Sequence, residues 1–438
     1  MASGRSSGQP DVCESAPVGY QRRARAAISA MKLTKGGGAT SVLDGVRVLD
    51  FGRYVAGPYC AAILAELGAD VVRIDDIAQS PDRSIAALAP GLDAGAMFLH
   101  VNQNKRSVAL DVRAERSRAI IQRLVASSDV VVTNSTRAHV EHLGLDYDAI
   151  CRYRPDIIKI TISAFGNAGS LAALPGFDGV AQALCGAAYL SGSHELGPSK
   201  SAATWVDYGT ASLAAVSALA AYVTRLKTGS GTEIHRSLLE TALTFANPSL
   251  IEEAVTKVGR GPGHNRSYFT APADIYATSD GWVIVQVSGV QMYRRWAEAV
   301  GRTDLAEADA DLTDSGRAAR ADEIGHAMSR WCRGRSCADV IERMRAARVP
   351  VAEVLSPGRT LSSTEIRSAA LLADRDYPNL GASFPVVSTS AGFASRGEEP
   401  SRRAPARGEH TREVLLDSGF STDEITDFID SGVIYQAS

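Results

Sequence analysis

Three short stretches of this chain carry residue types whose spacing specifies chemistry. In the first, Gly52 and Gly57 open a turn after the apolar run Val46, Val48 and Leu49, and Pro58 falls at an early helical position that tolerates a missing N–H. A turn of this kind, between a strand and a helix, leaves backbone N–H groups free for a phosphorylated ligand. In the second, WVDYGTAS, Asp207 sits between a short apolar strand end and the start of a long alanine- and leucine-rich helix. A carboxylate there is stabilised by free N–H groups and the helix dipole, so the local reading is an N-cap and the chemical reading is a nucleophile. In the third, GRGPGHNR, Gly259, Gly261 and Gly263 fall within five positions, either as an interdomain turn or as a loop that closes over a reacting centre; Pro262 stiffens it. Cys60, beside the first turn, reads as a small buried helix residue rather than a nucleophile, because free cysteine is among the most buried residue types.

The elements that hold these residues follow from periodicity. Leu43 to Asp75 reads as a β-α-β unit: Ala61, Ala62, Leu64, Ala65 and Leu67 give the helix its apolar face, Gly68 stops it, and Val71, Val72 and Ile74 form a second buried strand ending in Asp75. Such a unit invites a dinucleotide-binding reading. The glycine spacing argues against it, since G-x-G-x-x-G needs a glycine where Tyr54 stands, and a tyrosine side chain blocks close approach of a pyrophosphate. Downstream, SVALDV, a helix over 114–126, DVVVTN, a helix over 138–153 and IIKITIS continue the alternation that defines a doubly wound sheet. The helix from Asp207 to Lys227 is expected to be buried on most sides. From about Gly259 to Arg348 the texture changes: YATSDGWVIVQVS reads as a hairpin with two helices after it, a second and smaller domain.

Composition sets outer limits. Of 438 residues 45% are apolar and 22% charged, ample for a large core. With 46 Lys plus Arg against 49 Asp plus Glu, the net charge of -3 gives no bulk attraction to nucleic acid or to an anionic membrane, so any anion site is local. The six cysteines are dispersed, with no C-x-x-C and no histidine at zinc spacing, which points to reduced thiols, a cytoplasmic protein and no metal site. No run of about 18 apolar residues occurs, so no membrane-spanning helix is expected. The Gly-, Ser- and Arg-rich stretch over 1–40 lacks the apolar core of a secretory signal and reads as a disordered extension, with at most a short basic helix from Gln21 to Lys32; Met31 is an alternative start.

The wording of several segments resembles the class III CoA-transferases, the carnitine and bile-acid CoA-transferase group that also contains the 2-methylacyl-CoA racemases. The resemblance rests on FGRYVAGPYCAAILAELGADVVRID, NQNKRSVALDVR, SDVVVTNS, ITISAFGNAG, PGFDGVAQALCG, VDYGTASLAAVSALAAYVTRLKTGSGTEI, APADIYATSDGWVIV and APARGEHTREVL, and leaves only about the first 40 residues uncovered. It implies a Rossmann-like doubly wound large domain plus a smaller α+β domain, in a homodimer whose two chains interlock. The expected division is an extension over 1–40, the first part of a large CoA-binding domain over 41–227, linker and small domain over 228–350, and a return to the large domain over 351–438.

The same resemblance turns Asp207 from cap to nucleophile. In the family an aspartate at the start of this helix attacks the acyl-CoA thioester, giving an acyl-aspartyl anhydride and then an aspartyl-CoA thioester, which the acceptor carboxylate attacks next. The glycine loop moves over that aspartate. Coenzyme A and acyl-CoA are substrates, with no tightly bound cofactor, and the partners are an acyl-CoA and a carboxylic acid. By motif correspondence Val55 and Ala56 approach the pantetheine arm, Leu110 to Arg113 and Asn134 to Thr136, including Ser135, flank the adenine nucleotide, and His142 lies near a phosphate. Arg113 is the best phosphate cation of this group. Two departures, Asp76 for a basic residue or proline and Ser135-Thr136 for an aromatic- or basic-proline pair, shift attention to Arg73, Arg137 or Lys105 as phosphate ligands. For Lys105-Arg106 the plainer reading is a solvated charge pair.

Two rival readings come with the family. Racemases carry G-H-D where this chain has Gly176-Phe177-Asp178, and Phe177 has no proton to exchange, so a two-base racemase or a lyase of the same family loses its second base. A CoA-binding protein without turnover fits the departures at Asp76 and Ser135 but not the retained Asp207.

Overall fold

The computed structural model describes residues 41–78, 80–86, 93–309, 311–377, 381–387 and 402–437. The extension expected over 1–40, with its basic helix and alternative start, lies outside these described residues. The described chain divides into two compact units. The larger takes in the chain up to Cys185, then Ala202–Asn247, then Leu372 onward; the smaller takes in Gly186–Ser201 and Pro248–Leu371.

The larger unit is built on a seven-stranded sheet: β1 (Arg47–Asp50), β2 (Asp70–Asp76), β3 (Lys105–Leu110), β4 (Val130–Thr133), β5 (Ile158–Ser163), β6 (Thr232–Ser237) and a short C-terminal strand (Ile434–Tyr435). Their order is C-terminal strand, β3, β2, β1, β4, β5, β6, with all neighbours parallel except the C-terminal strand, which runs antiparallel to β3. Every position of β3 and β4 is buried, as a parallel sheet covered on both faces requires. The order reverses between β1 and β4, and open α/β sheets bind ligands at the carboxyl ends of strands at such a switch point.

The helices around the sheet are α1 (Ala56–Glu66), α2 (Ala96–Val101), α3 (Glu115–Ala126), α4 (Arg137–His142), α5 (Tyr147–Cys151), α6 (Asp178–Leu184), α7 (Trp205–Thr228) and α8 (Leu238–Thr256), whose second half belongs to the smaller unit. The single helix expected over 138–153 is two, because Gly144 turns left-handed at φ 67° and the Asp146 carboxylate accepts the Ala149 N–H to start α5. One face of the sheet closes on Ile120, Leu124, Ile150 and the C-terminal Val414, Leu415 and Ile425. Helices α1 and α7 pack together, and each buries a series of alanines that permits close approach.

Helix α7 departs from expectation in burying one face only; Val216 and Val223 are 62% and 48% exposed. By length and composition it is apolar enough to cross a membrane, which the run-length reading had excluded. Its contacts with α1, β5 and β6 and the buried pair Arg225–Asp129 at 2.9 Å mark it as a core helix of this unit.

In the smaller unit, β7 (Ala273–Ala277), β8 (Trp282–Gln286) and β9 (Val351–Glu353) form an antiparallel sheet in that order. Helices including Val290–Ala299, Ala321–Arg333 and Cys337–Ala346 cover it, with Val283, Val285, Tyr293, Trp296, Met328 and Val340 in the core. The hairpin falls where its sequence pattern puts it, but five helical segments rather than two separate β8 from β9. Because β9 pairs with β8, the stretch VPVAEVLS belongs here. The return to the larger unit begins at Leu372, not 351; the main segment of the smaller unit begins at Pro248 within α8 rather than at 228, and Gly186–Ser201, expected in the larger domain, belongs to the smaller unit as well.

Candidate active site

At the switch point, the turn between β1 and α1 is held by a buried ionic lattice. Lys105 Nζ donates to Asp50 Oδ2 at 2.7 Å, to the Pro58 carbonyl at 2.7 Å and to Asn102 at 2.9 Å. Asp50 accepts the Gly52 N–H at 2.7 Å, and Arg73 donates to the Gly52 carbonyl while pairing with Asp75 at 2.9 Å and Asp82 at 2.7 Å. Burial alone would raise the Asp50 carboxyl; Lys105 and Arg73 outweigh it and hold the group below its ordinary value. Burial pushes the Lys105 amine down to about 8 in spite of Asp50.

This lattice corrects two expectations. Arg73 and Lys105 are not available to CoA phosphates, because both are buried and their donors are spent on Asp75, Asp82, Asp50, Asn102 and the carbonyls of the turn. Arg106 is not a solvated partner of Lys105 either; it binds Asp70, Glu413 and Asp417. Asp75, the acid a ribose would need in a dinucleotide site, is occupied by Arg73, Arg83 and Ser107. Nor do the glycines mark a pyrophosphate cradle. A Cβ on Gly52 would fall 2.6 Å from the Asp50 carboxylate, and one on Gly57 would fall 3.0 Å from Gly52 Cα, so both are demanded by packing. Tyr54 takes φ 63° and sets its ring edge-on to Phe177, 5.7 Å between centroids. Cys60 is fully buried, and burial followed by the Asp50 charge pushes its thiol up to about 12, which removes it as a nucleophile.

Asp207 is the third residue of α7, and it does not cap the helix. That task falls to Asp178 at the start of α6, whose Oδ2 accepts the N–H groups of Val206 at 2.8 Å and Asp207 at 3.1 Å. Gln182, one turn on, donates to the other Asp178 oxygen. With the backbone donors taken, the Asp207 carboxylate has no hydrogen-bond partner among the described residues. Burial, then repulsion from Asp178, pushes it up to about 7. The next turn is locked: Thr210 donates to the Val206 carbonyl and meets Thr241 of α8, and a Cβ on Gly209 would sit 2.6 Å from the Phe245 ring. A carboxylate stripped of donors and held rigidly is a better nucleophile than a cap.

Beside it stands an aromatic group that sequence reasoning missed. Tyr208 packs edge-on against Tyr59 of α1 at 4.8 Å, and His100 of α2 completes a triangle at 5.6 Å from Tyr59 and 5.7 Å from Tyr208. Three elements far apart in sequence contribute one residue each, so no local motif announced it.

The remaining expected residues are spread out. Val55 and Ala56 have buried side chains at the start of α1, which has no side-chain cap and no acid in its first turn, leaving backbone N–H groups as its contribution. The Asn134 amide donates to the Arg53 carbonyl at 2.7 Å and accepts the Arg53 N–H at 2.8 Å, tying β4 to the turn across the switch point. Ser135 follows, half-buried. Leu110 is fully buried, so only its backbone can meet a ligand. The Arg113 side chain is 67% exposed, paired with Asp111, and lines a cavity of about 990 Å³ together with Arg403, Arg407 and Tyr435. His142 is exposed at the end of α4, and Arg137 is exposed beside Glu141. Within the smaller unit the glycine loop is tied down: Gly263 N–H donates to the Leu190 carbonyl, His264 N–H to Gly192, and the Tyr268 hydroxyl to the Gly261 carbonyl at 2.7 Å. Only Gly259 of the three turns left-handed, at φ 58°. Among the described residues no cluster of three or more His, Cys, Asp or Glu side chains is arranged to hold a metal ion.

The fold and site define an open α/β unit with a carboxylate at the start of α7 that is partnerless among the described residues, and comparison supplies the class. The profile of CoA-transferase family III matches residues 43–411. The chain belongs to that family and is a class III CoA-transferase. It is 28% identical over 400 residues to the succinyl-CoA–L-malate CoA-transferase beta subunit of Chloroflexus aurantiacus, covering 90% of this chain and 98% of that one. It is 28% identical over 391 residues to the succinyl-CoA:mesaconate CoA-transferase of Haloarcula hispanica, covering 87% and 97%. Among solved structures, a CAIB/BAIF family protein from Brucella suis shares the fold with a TM-score of 0.75 at 23% identity, covering 87% of this chain and all of that one.

Proposed function

We propose that the enzyme moves CoA between acyl-CoA and a free carboxylic acid through covalent intermediates on Asp207. The carrying observation is the division of labour between two aspartates: Asp178 takes the α7 amides, and Asp207 is left without donors. An Asp207 oxygen attacks the thioester carbonyl, the C–S bond breaks, and CoA leaves as thiolate from an acyl-aspartyl anhydride. The thiolate then attacks the aspartyl carbonyl, releasing the donor acid and leaving aspartyl-CoA. The acceptor carboxylate attacks that thioester, and the returning thiolate takes the new acyl group and frees Asp207. Atoms and charge balance without metal or redox cofactor.

The switch point supports the placement of CoA: uncapped N–H groups at the start of α1 for the pantetheine arm, Asn134 beside them, and Arg113 as the phosphate cation. The names of the relatives support a dicarboxylic donor such as succinyl-CoA. A homodimer in the cytoplasm completes the reading; exposed Val216, Val223 and Phe245 on the larger unit supply apolar surface for a second copy. The test is to incubate the protein with a panel of acyl-CoAs and acids, read the products by mass spectrometry, and trap Asp207 with hydroxylamine. A hydroxamate at Asp207 in the presence of donor is the expected result; product formation without it would sink the covalent route.

A further inference from the structure

The triangle of Tyr59, His100 and Tyr208 is held by ring packing, and its polar atoms take no part in that packing. Each ring is half-buried, yet neither phenol hydroxyl nor the imidazole has a hydrogen-bond partner among the described residues. The contacts among them are made by ring faces and edges, so the two hydroxyls and the imidazole nitrogens remain free to meet a ligand or water. They also share a chemistry. Burial, Tyr59 and Asp207 together push the Tyr208 hydroxyl up to about 12, so it remains a donor at every working pH. Burial likewise raises the Tyr59 hydroxyl and lowers His100, which leaves a neutral imidazole with one N–H. The result is three neutral donors, one of them on the residue after the nucleophile.

We infer that this triangle is the acid-recognition subsite, taking the distal carboxylate of a dicarboxylic acyl group whose other end reacts at Asp207. A carboxylate offers about four acceptor positions, enough for three donors at once. An unbranched monocarboxylic acyl group of equal length would place a methyl there and leave all three donors unpaired, which is how a hydrogen-bonding pocket rejects an apolar analogue. The inference rests on the CoA-transferase reading of Asp207 and adds the residues that select the acid.

The experiment uses full-length Asp207→Asn protein, so that bound thioester is not consumed, and titrates it calorimetrically with succinyl-CoA and with butyryl-CoA. The parent should prefer succinyl-CoA by about tenfold or more, since a hydrogen bond to a charged group is worth at least that. Adding Tyr208→Phe, Tyr59→Phe or His100→Leu should each cut the succinyl-to-butyryl ratio by about fivefold or more, while His100→Gln, which keeps an N–H, should restore most of it. A purely structural role would weaken both ligands together and leave the ratio alone, which overturns the inference, as does a parent that prefers butyryl-CoA. If Tyr208→Phe fails to fold, the contrast between His100→Leu and His100→Gln carries the same decision. Absence of binding by either thioester and by free CoA would overturn the CoA reading as well, whereas CoA binding without acyl preference overturns only the subsite.

Discussion

Replacing Asp207 with asparagine should remove activity and add stability, and the two effects have one physical source. The carboxyl is moved from its ordinary 3.8 up to about 7 by burial and by Asp178. Between those values the folded protein binds more protons than the unfolded chain, so this group makes folding less favourable as pH rises, with the full cost present above about 7. At ~1.4 kcal/mol per tenfold the upper limit is ~4 kcal/mol, and partial solvent access reduces the expectation to roughly 1–3 kcal/mol. Asp207→Asn carries no such cost. In urea at pH 8 it should therefore be more stable than wild type by that amount, with the difference vanishing near pH 4. Transfer activity of the variant should fall by about a thousandfold or more, and that of wild type should rise with pH through about 7 as the nucleophile ionises. Asp178→Asn keeps an oxygen for the α7 amides but removes a charge, so it should move the midpoint of that pH profile downward. Equal stability of wild type and Asp207→Asn at pH 8 would show that the carboxylate is satisfied in solution; activity above about a tenth of wild type, a loss of only ~1.4 kcal/mol, would refute the nucleophile.

With Phe177 where a racemase has histidine, a chiral 2-methylacyl-CoA in deuterated water should show no α-proton exchange above background, and rapid exchange would reverse that assignment. Lys105→Met should destabilise the protein by ~3–5 kcal/mol in urea, because it strands a buried Asp50 carboxylate; a loss of CoA affinity with unchanged stability would instead make Lys105 a phosphate ligand after all. Arg113→Gln should leave stability within ~0.5 kcal/mol while weakening acyl-CoA binding, with the deficit shrinking at high salt. An interlocked pair would bury well over the ~1,600 Å² of a standard interface, so light scattering should find a dimer down to nanomolar concentration; a folded, active monomer would rule interlocking out.

Much of the fold was legible in the sequence because its signals are local. The buried runs of β1 to β5, the stop at Gly68 and the hairpin of β7 and β8 each depend on residues a few positions apart, and Asp207 could be found because its motif is contiguous. The missing glycine at Tyr54 was likewise enough to set aside a dinucleotide, and the structure supplies the reasons in the packing of Gly52 and Gly57 and the occupied Asp75. What the sequence misassigned depends on charge partners distant along the chain. Arg73 and Lys105 look like phosphate cations in isolation and become struts of the β1–α1 turn only when parallel pairing of β1, β2 and β3 buries them beside Asp50, Asp75 and Asp82. The same holds for Asp207, where only the fold brings Asp178 from 29 positions upstream to take the helix amides and leave the Asp207 carboxylate without donors. The placement of 351–353 in the smaller unit turned on one strand pairing, β8 with β9, between residues 66 to 70 positions apart. A buried charge declares its role through its partner, and partners are chosen by tertiary structure.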